Sequence, residues 1–123
     1  AEFKNHEETF FETESQRKIM STGRITTNPA NSIKKFIIVN LGLEYRIKPD
    51  LPVEEFDMEK PLMQKLVIRL KAKVTDRIGS MRVEELVRQR SELTAIFKED
   101  LQELFNENQM FLREVYLNEF LIQ

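Results

Sequence analysis

The sequence predicts an α+β domain: a small antiparallel or mixed sheet with two amphipathic helices packed on one face. Three stretches carry that expectation. In Phe36-Ile-Ile-Val-Asn-Leu-Gly-Leu-Glu-Tyr-Arg-Ile47 the odd positions Ile37, Val39, Leu41, Leu43, Tyr45 and Ile47 are all apolar. From position 40 the even ones, Asn40, Gly42, Glu44 and Arg46, are polar or lack a side chain. Successive side chains of a strand point to opposite faces, so this stretch presents one wholly apolar face. From Met63 the period changes. Met63, Leu66, Val67, Leu70, Val74, Ile78 and Met81 recur at three and four residues, the stripe of an amphipathic helix. Leu93, Ile96, Phe97, Leu101, Leu104 and Phe105 repeat that spacing in a second long helix.

At 123 residues the chain is one ordinary domain, long enough to bury roughly two-thirds of its unfolded surface. Its 41% hydrophobic and 33% charged content favours a globular chain over disorder. Cysteine is absent, which excludes disulfides and thiolate metal sites and does not choose between cytoplasm and periplasm. No run of about 18 apolar residues exists, so nothing reads as a membrane span, and no signal peptide is visible. The opening Ala1-Glu2-Phe3 reads as a vector scar, which leaves room for an upstream anchor.

In chain order, residues 1–16 are acidic around Phe3, Phe10 and Phe11 and read as a linker or arm, either a helical spacer or a tail. Residues 17–123 form the single α+β domain. Arg17 to Thr27 is a first, weaker strand interrupted by Gly23, as at a bulge or bend. Asn28-Pro29-Ala30-Asn31-Ser32 is a turn that returns the chain antiparallel into the long strand. Pro49, Pro52 and Pro61 forbid regular structure until Asp57 or Glu59 caps the first long helix, with Pro61 in its first turn. That helix ends near Gly79, and Ser80 reads as the cap of a short helix from Met81 to Val87. Asn106 and Asn108 suit the end of the second long helix. In the last strand, Val115, Leu117 and Leu121 are expected on one face and Tyr116, Phe120 and Ile122 on the other. Both faces are then apolar, as for a strand covered on two sides or lying at a subunit contact.

The twelve residues from Phe36 to Ile47 would span roughly 40 Å, longer than most strands, so Gly42 is an expected bend or bulge. The polar face with Glu44 and Arg46 is an expected surface for a neighbouring protomer as well as for water.

Nothing in the sequence is organised for catalysis, and the chain reads as a non-enzyme. His6 is the single histidine, so neither a Ser-His-Asp arrangement nor a His-rich metal site can form. Gly23, Gly42 and Gly79 are dispersed and make no phosphate-cradling loop. The acid pairs Glu54-Glu55 and Glu84-Glu85 suit solvent or helix starts. A small enzyme with two distant carboxylates brought together is the remaining catalytic reading. No cofactor and no metal are expected.

Net charge is -2, but the signs are segregated. The strongest candidate feature is a basic row, Lys65, Arg69, Lys73 and Arg77, aligned four apart along one face of the first long helix. It reads as a solvated surface with local ion pairs, or as an interface for an acidic neighbour such as the Glu99, Glu103, Glu107 row of another subunit. Nucleic acid is disfavoured, because this helix lacks interleaved aromatics and the chain is not basic overall. Phe10-Phe11 in its acidic setting reads as a short recognition motif, as a staple onto the domain or as the start of a membrane-proximal linker.

The final stretch, Val115-Tyr-Leu-Asn-Glu-Phe-Leu-Ile-Gln123, resembles the C-terminal strand of the FliL family of flagellar basal-body-associated proteins, with its Val-Tyr-x-x-Glu-Phe-aliphatic-aliphatic-Gln pattern. Asp76-Arg-Ile-Gly-Ser-Met-Arg-Val-Glu-Glu-Leu86 is similar to that family's helix, Ser and Glu-Glu-Leu segment, and the long strand is similar to its strand before the helix. The resemblance covers residues 17–123. It implies a single-pass inner-membrane protein with its C-terminal domain in the periplasm, at the flagellar basal body, and residues 1–16 next to the membrane. It implies a stomatin/prohibitin (SPFH)-like fold, self-association into a homo-oligomeric ring, and support of the motor's stator proteins. It implies no catalytic residues. The segment from Lys48 to Pro61 and the acidic arm are longer than the family's minimum. The competing reading is a generic adaptor that binds an anionic partner through the basic helix face.

Overall fold

The computed structural model describes residues 17–123. The expectations for residues 1–16, His6, Phe10 and Phe11 among them, lie outside the described residues. The elements are β1 (Arg17–Ser21), β2 (Ile25–Thr27), β3 (Ile37–Ile47), α1 (Pro61–Gly79), α2 (Val83–Arg88), α3 (Leu93–Glu107) and β4 (Met110–Ile122). Single 3-10 turns occupy Val53–Phe56 and Arg90–Glu92. The class is α+β with a small antiparallel sheet.

The long strand is the centre of that sheet. β4 pairs antiparallel with β3 along its whole length, from Ile37 opposite Ile122 to Ile47 opposite Met110. A strand has two edges, so β1 and β2 share the other one, β1 against residues 42–46 and β2 against residues 37–39. The weaker strand expected over Arg17 to Thr27 is therefore two pieces. The break falls where Gly23 takes φ +72°, a left-handed conformation that costs glycine nothing.

All six odd residues of β3 are 0–2% exposed. They meet the stripes of both long helices, Met63, Leu66, Leu70, Val74 and Ile78 from α1 and Leu93, Phe97, Leu101, Leu104 and Phe105 from α3, in one apolar cluster. Tyr45 packs on Phe105 with ring centroids 5.5 Å apart. A fully buried side chain of this size contributes roughly 1.5–3 kcal/mol, so this two-layer contact is the main source of stability.

Four local expectations are corrected. Neither Asp57 nor Glu59 caps α1. Lys60 stands at that position with no side-chain bond, and Pro61 follows it, removing one of the donors a cap would serve. Ser80 closes α1 instead of opening α2: its hydroxyl donates to the Arg77 carbonyl at 2.7 Å. The short helix starts at Val83, whose N–H donates to Asn31 Oδ1 at 3.1 Å, while Arg82 N–H donates to Glu85 at 3.0 Å. The cap thus comes partly from the turn before β3, fifty-two residues away.

The third correction concerns Gly42. The register shifts lie between Asn40 and Leu41 and between Glu44 and Tyr45, and the extra residues are Asn118 and Arg113, both on β4. β3 runs through unbulged. Gly42 sits between the two shifts, and a Cβ there would stand 3.0 Å from Asn118 Nδ2. The fourth follows from the bulges. Each extra residue flips the alternation of β4, so Leu117, Phe120 and Ile122 pack against the core while Leu121 is 40% exposed on the other face.

Candidate interaction surface

The basic row lies along α1, as its four-residue spacing requires. α1 and α3 pack side by side and antiparallel, because residue 69 meets residue 107 while residue 77 meets residue 100. Arg77 makes a bidentate pair with Asp100, Nε to Oδ2 and Nη2 to Oδ1, both at 2.7 Å. That hydrogen bonding raises the guanidinium pKa against the opposing desolvation, with smaller contributions from the Asp100 and Glu99 charges. Arg69 reaches Glu107 at 3.4 Å with both side chains half exposed. Such exposed pairs contribute at most about 1 kcal/mol each.

The acidic row expected to pair with this helix from another subunit is thus partly on the same chain. Glu107 engages Arg69, and Asp100, outside the expected set, engages Arg77. The signal for Asp100 was present: it follows Phe97 by three and precedes Glu107 by seven, on the flank of the α3 apolar stripe.

Lys65 and Lys73 are exposed, and no described acid lies within ion-pair distance of either. Each lines a shallow cleft between the helices. Lys73 shares one of about 380 Å³ with Asp76, Arg77, Ser80 and Asp100. Lys65 shares one of about 390 Å³ with Pro61, Leu62, Leu66, Arg69 and Asn108. The mixed charge of the first makes it a poor anion cradle, because Asp76 and Asp100 oppose what Lys73 and Arg77 attract.

On the sheet face away from the helices, Glu44 accepts a hydrogen bond from the Tyr116 hydroxyl at 3.3 Å and pairs with Arg113 at 3.2 Å. Desolvation first, then the Glu44 charge, raises the Tyr116 pKa. Arg46, expected at a protomer surface, is 1% exposed and offers no surface to a neighbour. Sequence reasoning missed this because even positions of β3 turn away from the helices without necessarily facing water.

The residues that sequence reasoning left unassigned are on β4. Glu119 makes a bidentate pair with Arg24, at 2.8 and 2.7 Å, across the β1–β2 break. Arg90 lies 5.4 Å over the Phe120 ring, tying the α2–α3 link to the end of the strand. Gln123 and Phe36 exchange two backbone hydrogen bonds, at 2.7 and 2.8 Å.

Among the described residues no group of three or more His, Cys, Asp or Glu is placed to hold a metal. No helix among them is long and apolar enough to cross a membrane. The chain matches no family model and no curated protein sequence.

Proposed function

We propose that this chain is a non-enzymatic accessory domain of the bacterial flagellar motor, of the FliL type, that self-associates around stator units and supports them. In this reading the fold is SPFH-like, the domain is periplasmic, and an upstream helix tethers it to the inner membrane. The carrying observation is the terminal pattern Val115, Tyr116, Glu119, Phe120 and Gln123. Supporting it, each of those residues has a structural task. Val115 is in the core, Tyr116 holds Glu44, Glu119 clamps Arg24, Phe120 carries Arg90, and Gln123 pairs with Phe36. A pattern tied to the framework in this way characterises a fold family.

The competing adaptor reading loses ground because Arg69 and Arg77 are committed to acids of their own chain. The test uses the full-length protein in its native cell, tagged and separately deleted. Foci at flagellar basal bodies together with reduced swimming are expected. Diffuse distribution with unchanged swimming overturns the proposal. Glu in place of both Lys65 and Lys73, leaving the arginine pairs intact, then asks whether the remaining basic face contacts the stator.

A further inference from the structure

We infer that the far edge of β4 is a self-docking surface, pairing antiparallel with β4 of a second copy about a two-fold axis at Tyr116. β4 is thirteen residues long, and among the described residues it pairs with β3 alone. A long edge with unpaired backbone groups is a template for another strand unless something blunts it. Bulges usually do so, but here their placement favours one pairing.

The order of faces along β4 is the same read from either end. About Tyr116, which is 46% exposed, Val115 and Leu117 both face the core. Further out come the doubled positions 113–114 and 118–119, then core-facing Leu112 and Phe120, then outward Phe111 and Leu121. In an antiparallel pair, directly opposed residues share a face. Centred on Tyr116, every core-facing residue therefore meets a core-facing one, and each bulge meets a bulge. A slip of one residue would set apolar side chains against the wrong face at every position.

Charge selects the direction. Arg113 and Glu119 each hold a partner of their own chain, Glu44 and Arg24. The antiparallel arrangement brings these two pairs opposite each other with Arg113 facing Glu119, whereas in-register parallel strands would stack Arg113 on Arg113 and Glu119 on Glu119. The occupant is therefore a second copy. The contact is isologous and closes at two subunits, unlike the head-to-tail contact that builds a ring. It does not depend on the flagellar reading.

The absence of cysteine makes the test direct. Residues opposed across such an axis have Cα atoms about 4.5–5.5 Å apart, within disulfide range. Three single variants of the 123-residue chain are oxidised in parallel: Tyr116→Cys on the axis, Leu121→Cys off it, and Ile68→Cys on the exposed face of α1, with circular dichroism confirming that each is folded. Tyr116→Cys is expected to form covalent dimer roughly tenfold faster than the other two, from the effective concentration inside a formed contact. In sedimentation velocity the parent is expected to dimerise with rising concentration. Tyr116→Lys, which sets two like charges on the axis, is expected to stay monomeric. Equal rates at Tyr116→Cys and Ile68→Cys overturn the inference, and so does cross-linking at Leu121→Cys as fast as at Tyr116→Cys, which marks in-register parallel strands. If cross-linking at the axis fails while basal-body foci persist, the two-fold contact is wrong and the motor reading stands.

Discussion

Thr22 closes the gap between β1 and β2 by engaging both backbone groups of Leu41. Its N–H donates to the Leu41 carbonyl at 2.9 Å, and its Oγ1 accepts from the Leu41 N–H at 3.0 Å. The hydroxyl proton goes to the Gly23 carbonyl at 2.7 Å. Thr22 is 3% exposed and Leu41 0%, so water cannot replace these bonds. Thr22→Val keeps the shape and orphans a buried N–H, with an expected cost of about 1–3 kcal/mol. A lower urea midpoint at unchanged slope checks this; a midpoint equal to the parent's refutes it.

The bulge at Asn118 separates two leucines that simple alternation places together. Leu121→Asn is expected to change monomer stability by under about 0.5 kcal/mol, because the residue is exposed. Leu112→Ala, at a position 0% exposed, is expected to cost about 2–5 kcal/mol. Urea unfolding of both at low protein concentration reads the difference. A loss at Leu121→Asn as large as that at Leu112→Ala would mean that Leu121 also faces the core.

Leu41→Asp would place a carboxylate beneath both helices at a site 0% exposed. Such a group protonates or opens the fold, and either way the loss exceeds about 4 kcal/mol. Circular dichroism melts are expected to show a largely unfolded chain at 25 °C, and a parent-like melt would refute the core assignment.

Burial, with a smaller contribution from the Asp57 charge, pushes the Tyr45 hydroxyl up to about 12. The unfolded value is about 10, so the folded state holds this proton more tightly. The resulting stability is complete below about pH 10 and is lost as pH rises toward 12, on the order of 2–3 kcal/mol in all. Tyr116, also shifted up, acts in the same direction. Comparing parent with Tyr45→Phe in unfolding series at about pH 8 and pH 11 isolates the buried group. The variant is expected to lose less stability at the higher pH, and parallel losses would refute the assignment.

Gln109 follows the Asn108 cap of α3 with φ +61°, a left-handed conformation that a side chain with Cβ adopts at a cost. Gln109→Gly is expected to stabilise by roughly 0.5–1 kcal/mol, offset in part by unfolded-state entropy. A higher melting temperature checks it, and a lower one would show that the side chain has a role that its conformation conceals.

Period alone determined most of this molecule. Alternation over residues 37–47 and three-four spacing in the two helices specify which side of each element is apolar, and apolar sides must meet. The helix end at Gly79 and the hairpin-like return into β3 were legible for the same reason, since turn and cap chemistry is local. Three things required the tertiary structure. The pairs Arg77–Asp100 and Arg69–Glu107 depend on how two helices lie side by side, which no spacing within one helix encodes. The burial of Arg46 depends on what lies across the sheet from the helices, which alternation does not specify. The two bulges of β4 arise because β3 and β4 must match over their full length while their apolar residues have different spacings. A bulge is a compromise between two strands, so neither strand's sequence contains it alone.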